Sequence, residues 1–467
     1  GGVDFQGRIN GSGSVSVGPG DLILGGENTF TGLLNVLTGS TTTLTGSVDG
    51  NVTVDAGGEL TLSSNERIAD TATLRILTRS GDDPNGILNL NGIERVTTLH
   101  SGGTIRGIGL LNADTYNLTD GAITEAGANL GNGILNSDGD VLLGGDAFAN
   151  TVNVRTGTMT LNGSLIHEPE LTVNVATAAT LSLGFDERIG DNAIANVNGI
   201  LTLNGTETIT TFNLNGPGST LNGTGLLLAE TYNLANGATT EAGANMGGGI
   251  LNSDGAADVT LNGDSAAEDV NINSGTFNLN GQLTAVTDLT ISGGATVNLG
   301  SDERINDPAV VNVLRDGTLN LNGTETVRSY NSSGALGLSP TAASGTLIVT
   351  ESPINLMDGH VSLNGTNLQN LGGQDPQLTS NGEVLISGTA NDTAIGPNNA
   401  TINVNTVDIQ SGTLTLDGLF INPTGTIDIR NGATLVSGSA NRINGDSATV
   451  NMENGGTWTL GGDDTIE

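Results

Sequence analysis

Three copies of an acid–arginine step give the sequence its sharpest chemical signal: Glu66-Arg67, Glu187-Arg188 and Glu303-Arg304, each followed by isoleucine. A fourth copy, Asn441-Arg442, keeps the arginine and loses the acid. A guanidinium presents a planar fork of donors, so such a step can grip the carboxylate of an acidic glycan. The plainer reading is structural. Glutamate and arginine at a recurring corner form an ion pair joining successive layers of the fold, and the fourth copy suggests a variant in which arginine caps strand carbonyls instead. Glu66, Arg67, Glu187, Arg188, Glu303, Arg304 and Arg442 are therefore assigned structural roles, and Arg188→Ala is expected to lower thermal stability.

Other acids recur more sparsely. Ile93-Glu94-Arg95, Thr206-Glu207-Thr208 and Thr324-Glu325-Thr326 place one acid in each long repeat. General acid–base chemistry and glycoside cleavage need several such groups converging on one bond, so no catalytic residue is assigned and the chain is read as a non-enzyme. Two equivalent loops, Asn136-Ser137-Asp138-Gly139-Asp140 and Asn252-Ser253-Asp254-Gly255, space their oxygens as a hard cation accepts them. Asp138, Asp140 and Asp254 are the calcium candidates, against a solvated turn as the alternative. No other cofactor is expected. His100, His167 and His360 are too scattered for a metal site, and Trp458 is the only tryptophan, which leaves no aromatic platform for sugars. Tyr116 and Tyr232 occupy equivalent repeat positions and are assigned to packing or to a corner.

The elements that must carry these residues are short and periodic. Residues 60–68 return at 181–189 and 297–305, with a worn copy at 435–443. Subtracting residue numbers puts Arg67, Arg188, Arg304 and Arg442 at intervals of 121, 116 and 138. Such intervals are too regular for chance and too long for one supersecondary unit, so each long repeat contains several coils. Within them, alternating pieces such as Thr151-Val152-Asn153-Val154 and Thr401-Ile402-Asn403-Val404 put apolar residues on one face. Asn-Gly steps, as at Asn162-Gly163 and Asn262-Gly263, usually follow such a strand and suit the positive φ of a corner. Strand starts separate by roughly 19 to 23 residues, the length of one coil of a parallel β-helix, which gives about 22 to 24 coils. Residues 1–467 are thus read as a single continuous β-solenoid. Its long repeats fall at about 51–170, 171–288, 289–425 and 426–467, the last truncated, behind leading coils at 1–50.

Composition narrows the class further. Aromatic residues are 2% of the chain, so the interior must be built from Leu, Val and Ile in a narrow space. With no cysteine, neither disulfides nor thiolate metal sites can hold the fold. The net charge of −36 comes from only 13 basic residues against 49 acidic ones, and every basic residue is arginine. A chain without a basic patch cannot neutralise phosphates, so nucleic acid and anionic lipid are poor partners. No apolar run is long enough for a transmembrane helix. The sequence opens and closes in mid-motif, as a segment of a longer or processed protein would.

Residues 11–32 read Gly-Ser-Gly-Ser-Val-Ser-Val-Gly-Pro-Gly-Asp-Leu-Ile-Leu-Gly-Gly-Glu-Asn-Thr-Phe-Thr-Gly. This resembles the autotransporter-associated β-strand repeat, in which a Gly-rich turn precedes a Leu-x-Leu strand and an Asn-Thr-Phe/Tyr-Thr-Gly motif. Beyond it the chain is similar in style to filamentous-haemagglutinin-type surface proteins. The resemblance implies a right-handed β-helical passenger at the bacterial cell surface, with adhesion, biofilm or matrix roles and no catalytic residues to carry over. The expected function is a non-enzymatic extracellular scaffold, a surface fibre, matrix filament or adhesin stalk. It would self-associate end to end or with neighbouring coils of a longer parent chain, and would take a glycan or cell-surface ligand. The alternative is a polysaccharide-binding or polysaccharide-degrading β-helix of tail-spike or lyase type.

Overall fold

Alternation of apolar and polar residues makes the strands, and like residues stack on like. The computed structural model describes residues 2–78, 84–167, 169–338, 345–351, 354–357, 359–362, 366–370, 377–380, 383–387, 401–417, 420–437, 443 and 449–460. Among them there are strands, turns and bridges and no helix, so the chain is all-β. Two compact units are distinguished, residues 1–229 and 230–467. Each is a parallel β-solenoid.

In the first unit, one ladder runs from Val15–Val17 through Leu34–Val36, Val52–Val54 and Thr73–Ile76 to Thr206–Asn215, eleven strands in parallel register. The second unit repeats the plan, with eleven strands from Thr231 on to Thr449–Met452. A companion ladder on another face of the first unit includes Gly20–Leu24, Ser40–Leu44, Glu59–Leu62, Ile87–Leu90 and Thr104–Gly107. A third side is reduced in places to single bridges, such as Ala147 to Leu165 and Leu165 to Ile189.

Register explains the sequence pattern. Val152 pairs with Val173, which pairs with Ala195 and then Phe212, and these inward residues are at most 1% exposed. Outward, Asn153 pairs with Asn174, Asn196 and Asn213 in turn. Sliding one strand by a residue would turn its apolar set out to water, so the period-two pattern pins every layer. Each fully buried Leu, Ile or Val stabilises by about 1.5–3 kcal/mol relative to exposure. Coil length is less regular than the sequence spacing suggests: Thr115 lies 17 residues beyond its partner Thr98, whereas Ile87 lies 28 beyond Glu59. Loops between faces absorb the variation while register is kept.

The outward asparagines form ladders of their own. In the first unit Asn136 donates its Nδ2 to Asn117 Oδ1 at 3.0 Å, and Asn153, Asn174, Asn196 and Asn213 each donate to the preceding one at 2.8 to 3.0 Å. In the second unit Asn252 donates to Asn233 at 3.0 Å and Asn271 to Asn252 at 3.2 Å. Every amide points the same way, so the dipoles align and reinforce one another.

Candidate functional site: a buried carboxylate at each recurring corner

The acid–arginine corner is built on a backbone that turns left. Glu66, Glu187 and Glu303 have φ of 52°, 50° and 50°, a conformation rare outside glycine. Reversing the chain there aims successive backbone N–H groups toward one point, a concavity suited to an anion. The next coil supplies the anion. Glu94 accepts from Arg67 N at 2.7 Å and Ile68 N at 2.9 Å. Glu207 takes Arg188 N and Ile189 N at 2.8 and 2.7 Å, and Glu325 takes Arg304 N and Ile305 N, both at 2.8 Å. These three carboxylates are 0–1% exposed.

The arginines do not pair with those acids. Arg67 gives Nε to Asn65 O at 2.8 Å and Nη1 to Thr45 O at 2.9 Å. Arg188 does the same to Asp186 O and Asn162 O, both at 2.9 Å, and Arg304 to Asp302 O and Asn280 O at 3.0 and 2.9 Å. Each guanidinium thus ties its own corner to the coil beneath through carbonyls. The ion-pair reading of the corner gives way to the carbonyl cap, because the adjacent acid faces elsewhere. Glu187 bonds Thr208 Oγ1 at 2.9 Å in the coil above, and Glu303 bonds Thr326 Oγ1 at 2.9 Å. Glu66 has Arg95 where those threonines stand, and burial with Asp70 beside it raises its carboxyl above the usual range. Arg442 lies outside the described residues.

Burial dominates the titration of the three inward acids. It pushes Glu94 up to about 7 and Glu207 and Glu325 up to about 8, against the pull of the two backbone N–H donors on each. The neighbouring acids Glu66, Glu187 and Glu303 raise them further, and the adjacent arginines oppose this. A carboxyl poised near neutrality is often catalytic. These are sealed from solvent, so no substrate reaches them.

The loop aspartates are engaged between coils. Asp138 meets Arg155 Nη1 at 3.4 Å, and Asp140 accepts from Thr158 N at 2.9 Å. Asp254 accepts from Ser274 Oγ and from Gly255 N, which hold its carboxyl below the usual range. Among the described residues no group of three or more His, Cys, Asp or Glu side chains is placed to hold a metal ion. Tyr116 is fully buried, and its hydroxyl accepts from Ala113 N at 2.8 Å and donates to Leu111 O at 2.9 Å, a corner role.

No family model matches the chain. It is similar to a bacterial outer-membrane protein. The likeness is to outer membrane protein A of Rickettsia rickettsii, at 25% identity over 516 aligned residues, covering 88% of this chain. The chain spans about a fifth of that protein's length, 22%. Among the described residues no helix is long and apolar enough to cross a membrane.

Sequence reasoning found the corner and its arginine, but it placed positive φ at Asn-Gly steps such as Asn162-Gly163 and Asn262-Gly263, where the structure has it at Glu66, Glu187 and Glu303 instead, and it did not find the partner acid. Glu94, Glu207 and Glu325 stood out only as one acid per repeat. The signal was present as a polar residue at an inward position of an alternating strand, always one coil beyond an Arg-Ile step.

Proposed function

We infer that the chain is a non-enzymatic structural segment of a bacterial cell-surface or extracellular protein, a β-solenoid stalk, fibre or matrix element of autotransporter-passenger style. The observation that carries this reading is the in-register stacking of like residues within each unit, with the repeated inward carboxylates Glu94, Glu207 and Glu325 locked onto backbone donors. Such a construction spends its polar groups on holding coils together. Likeness to an outer-membrane protein supports the cell-surface location, and the net charge of −36 argues against nucleic acid. A lyase or tail-spike hydrolase would need acids or bases converging in an open groove, whereas Glu94, Glu207 and Glu325 are buried and lie in separate coils. No cofactor is invoked. Association with further coils, in the same parent chain or another copy, uses the same strand pairing that holds neighbouring layers.

Antibodies against this segment should label intact, non-permeabilised cells that express the parent protein, and external protease should remove the label. Labelling only after permeabilisation would overturn the surface assignment.

A further inference from the structure

One corner of the first long repeat carries polar residues that its later copies lack. Four successive coils open there into a concavity of about 470 Å³, walled chiefly by Arg95, Asn112, Asp114, Asn132, Ile134 and Asn150. Its base is fixed from inside: the Tyr116 hydroxyl that binds Ala113 N and Leu111 O also reaches Asn132 O at 3.2 Å. Two glycines let its coils approach closely. A Cβ at Gly131 would lie 2.0 Å from Asn112 Oδ1, and one at Gly133, whose φ is 137°, would lie 2.2 Å from Ala113 O.

The polar groups around this space are unspent. The side-chain amides of Asn112, Asn132 and Asn150 make no hydrogen bond to the described chain, whereas those of Asn153, Asn174 and Asn196 are consumed in a ladder. Arg95, 58% exposed, stands 4.0 Å from Asp70 and 3.8 Å from Asp114, too far for a hydrogen bond to either.

The later repeats show that the fold does not require these residues. Arg95 corresponds to Thr208 and Thr326, and Asn112 to Leu228 and Ile348. Asn132 corresponds to Gly248, and Asn150 to Glu268. A scaffold position that accepts leucine and isoleucine has no structural need of asparagine.

We propose that this concavity binds a neutral saccharide through its hydroxyl groups. Hydroxyls both donate and accept, which matches three free amides flanked by a donor-only guanidinium and an acceptor-only carboxylate. Ile134, 42% exposed, offers an apolar ledge to the C–H face of a sugar ring. Two acids beside one arginine disfavour an anionic sugar. An extended peptide would need a free strand edge, and the strands here are paired to coils on both sides. The proposal rests on the surface role for where a saccharide would be met, but its test uses purified protein, so its failure would leave that role standing.

The test is calorimetric titration of the whole chain with maltotriose, mannotriose, galactotriose and chitotriose, with sialyllactose as the anionic comparison. The variant R95T/N112L/N132G takes its residues from the second repeat, so it should melt with the parent. Binding of at least one neutral trisaccharide, weakened tenfold or more in the variant, is the expected result. Should the triple variant melt lower, Asn132→Gly alone is compared, with a threefold or greater loss expected. Absence of binding to all four neutral sugars, binding of sialyllactose only, or equal binding by parent and variant would overturn the proposal.

Discussion

At Glu207 a single side chain satisfies two backbone donors that no strand above can reach. Removing it leaves Arg188 N and Ile189 N buried without acceptors, and each unpaired donor costs about 1–3 kcal/mol. Glu207→Ala is therefore expected to destabilise by about 2–4 kcal/mol in urea unfolding, whereas Arg188→Ala, which frees two carbonyls to exposed surroundings, costs about 1 kcal/mol. Equal losses, or a larger loss for Arg188→Ala, would contradict the assignment of the corner to the acid. The arginine was legible because it is adjacent to its motif. Its buried partner was not, since 27, 19 and 21 residues separate Arg67, Arg188 and Arg304 from Glu94, Glu207 and Glu325.

As an element, the corner carries a pH dependence. In the unfolded chain these acids titrate near their ordinary 4.5, and in the fold burial raises them to about 7 and about 8. Between those values the folded state binds more protons than the unfolded one, so stability falls as pH rises from about 4.5 to about 8 and is level below that window. Melting should accordingly be higher at pH 5 than at pH 9. Replacing Glu94, Glu207 and Glu325 together by Gln should flatten the profile, and a triple variant with the parent's slope would assign it to the acidic surface instead. Strands such as Thr172–Val175 were readable because period-two alternation is local. Coil lengths were less so: loop residues between faces leave no periodic trace, which is why a spacing of 19 to 23 widened to between 17 and 34.

At the scale of the whole chain, the long repeats made a β-solenoid legible, while the proposed saccharide site stayed hidden because it depends on departures from the repeat. Arg95 and Asn112 look like ordinary coil residues until their register partners and later copies are set beside them. With no cysteine anywhere, the chain allows register to be read by engineered disulfides. Thr151 and Thr172 are register partners on the outward face, and Ile194 is the partner of Thr172 one layer further. Adjacent layers stand about 4.8 Å apart and alternate layers about 10 Å, whereas a disulfide needs Cα atoms about 4.4–6.8 Å apart. The decisive measurement is oxidation of Thr151→Cys/Thr172→Cys beside Thr151→Cys/Ile194→Cys, followed by non-reducing electrophoresis. Stacked coils in this register predict rapid, near-complete crosslinking of the first pair and little of the second; equal crosslinking, or preference for the second pair, would contradict the fold on which the account rests.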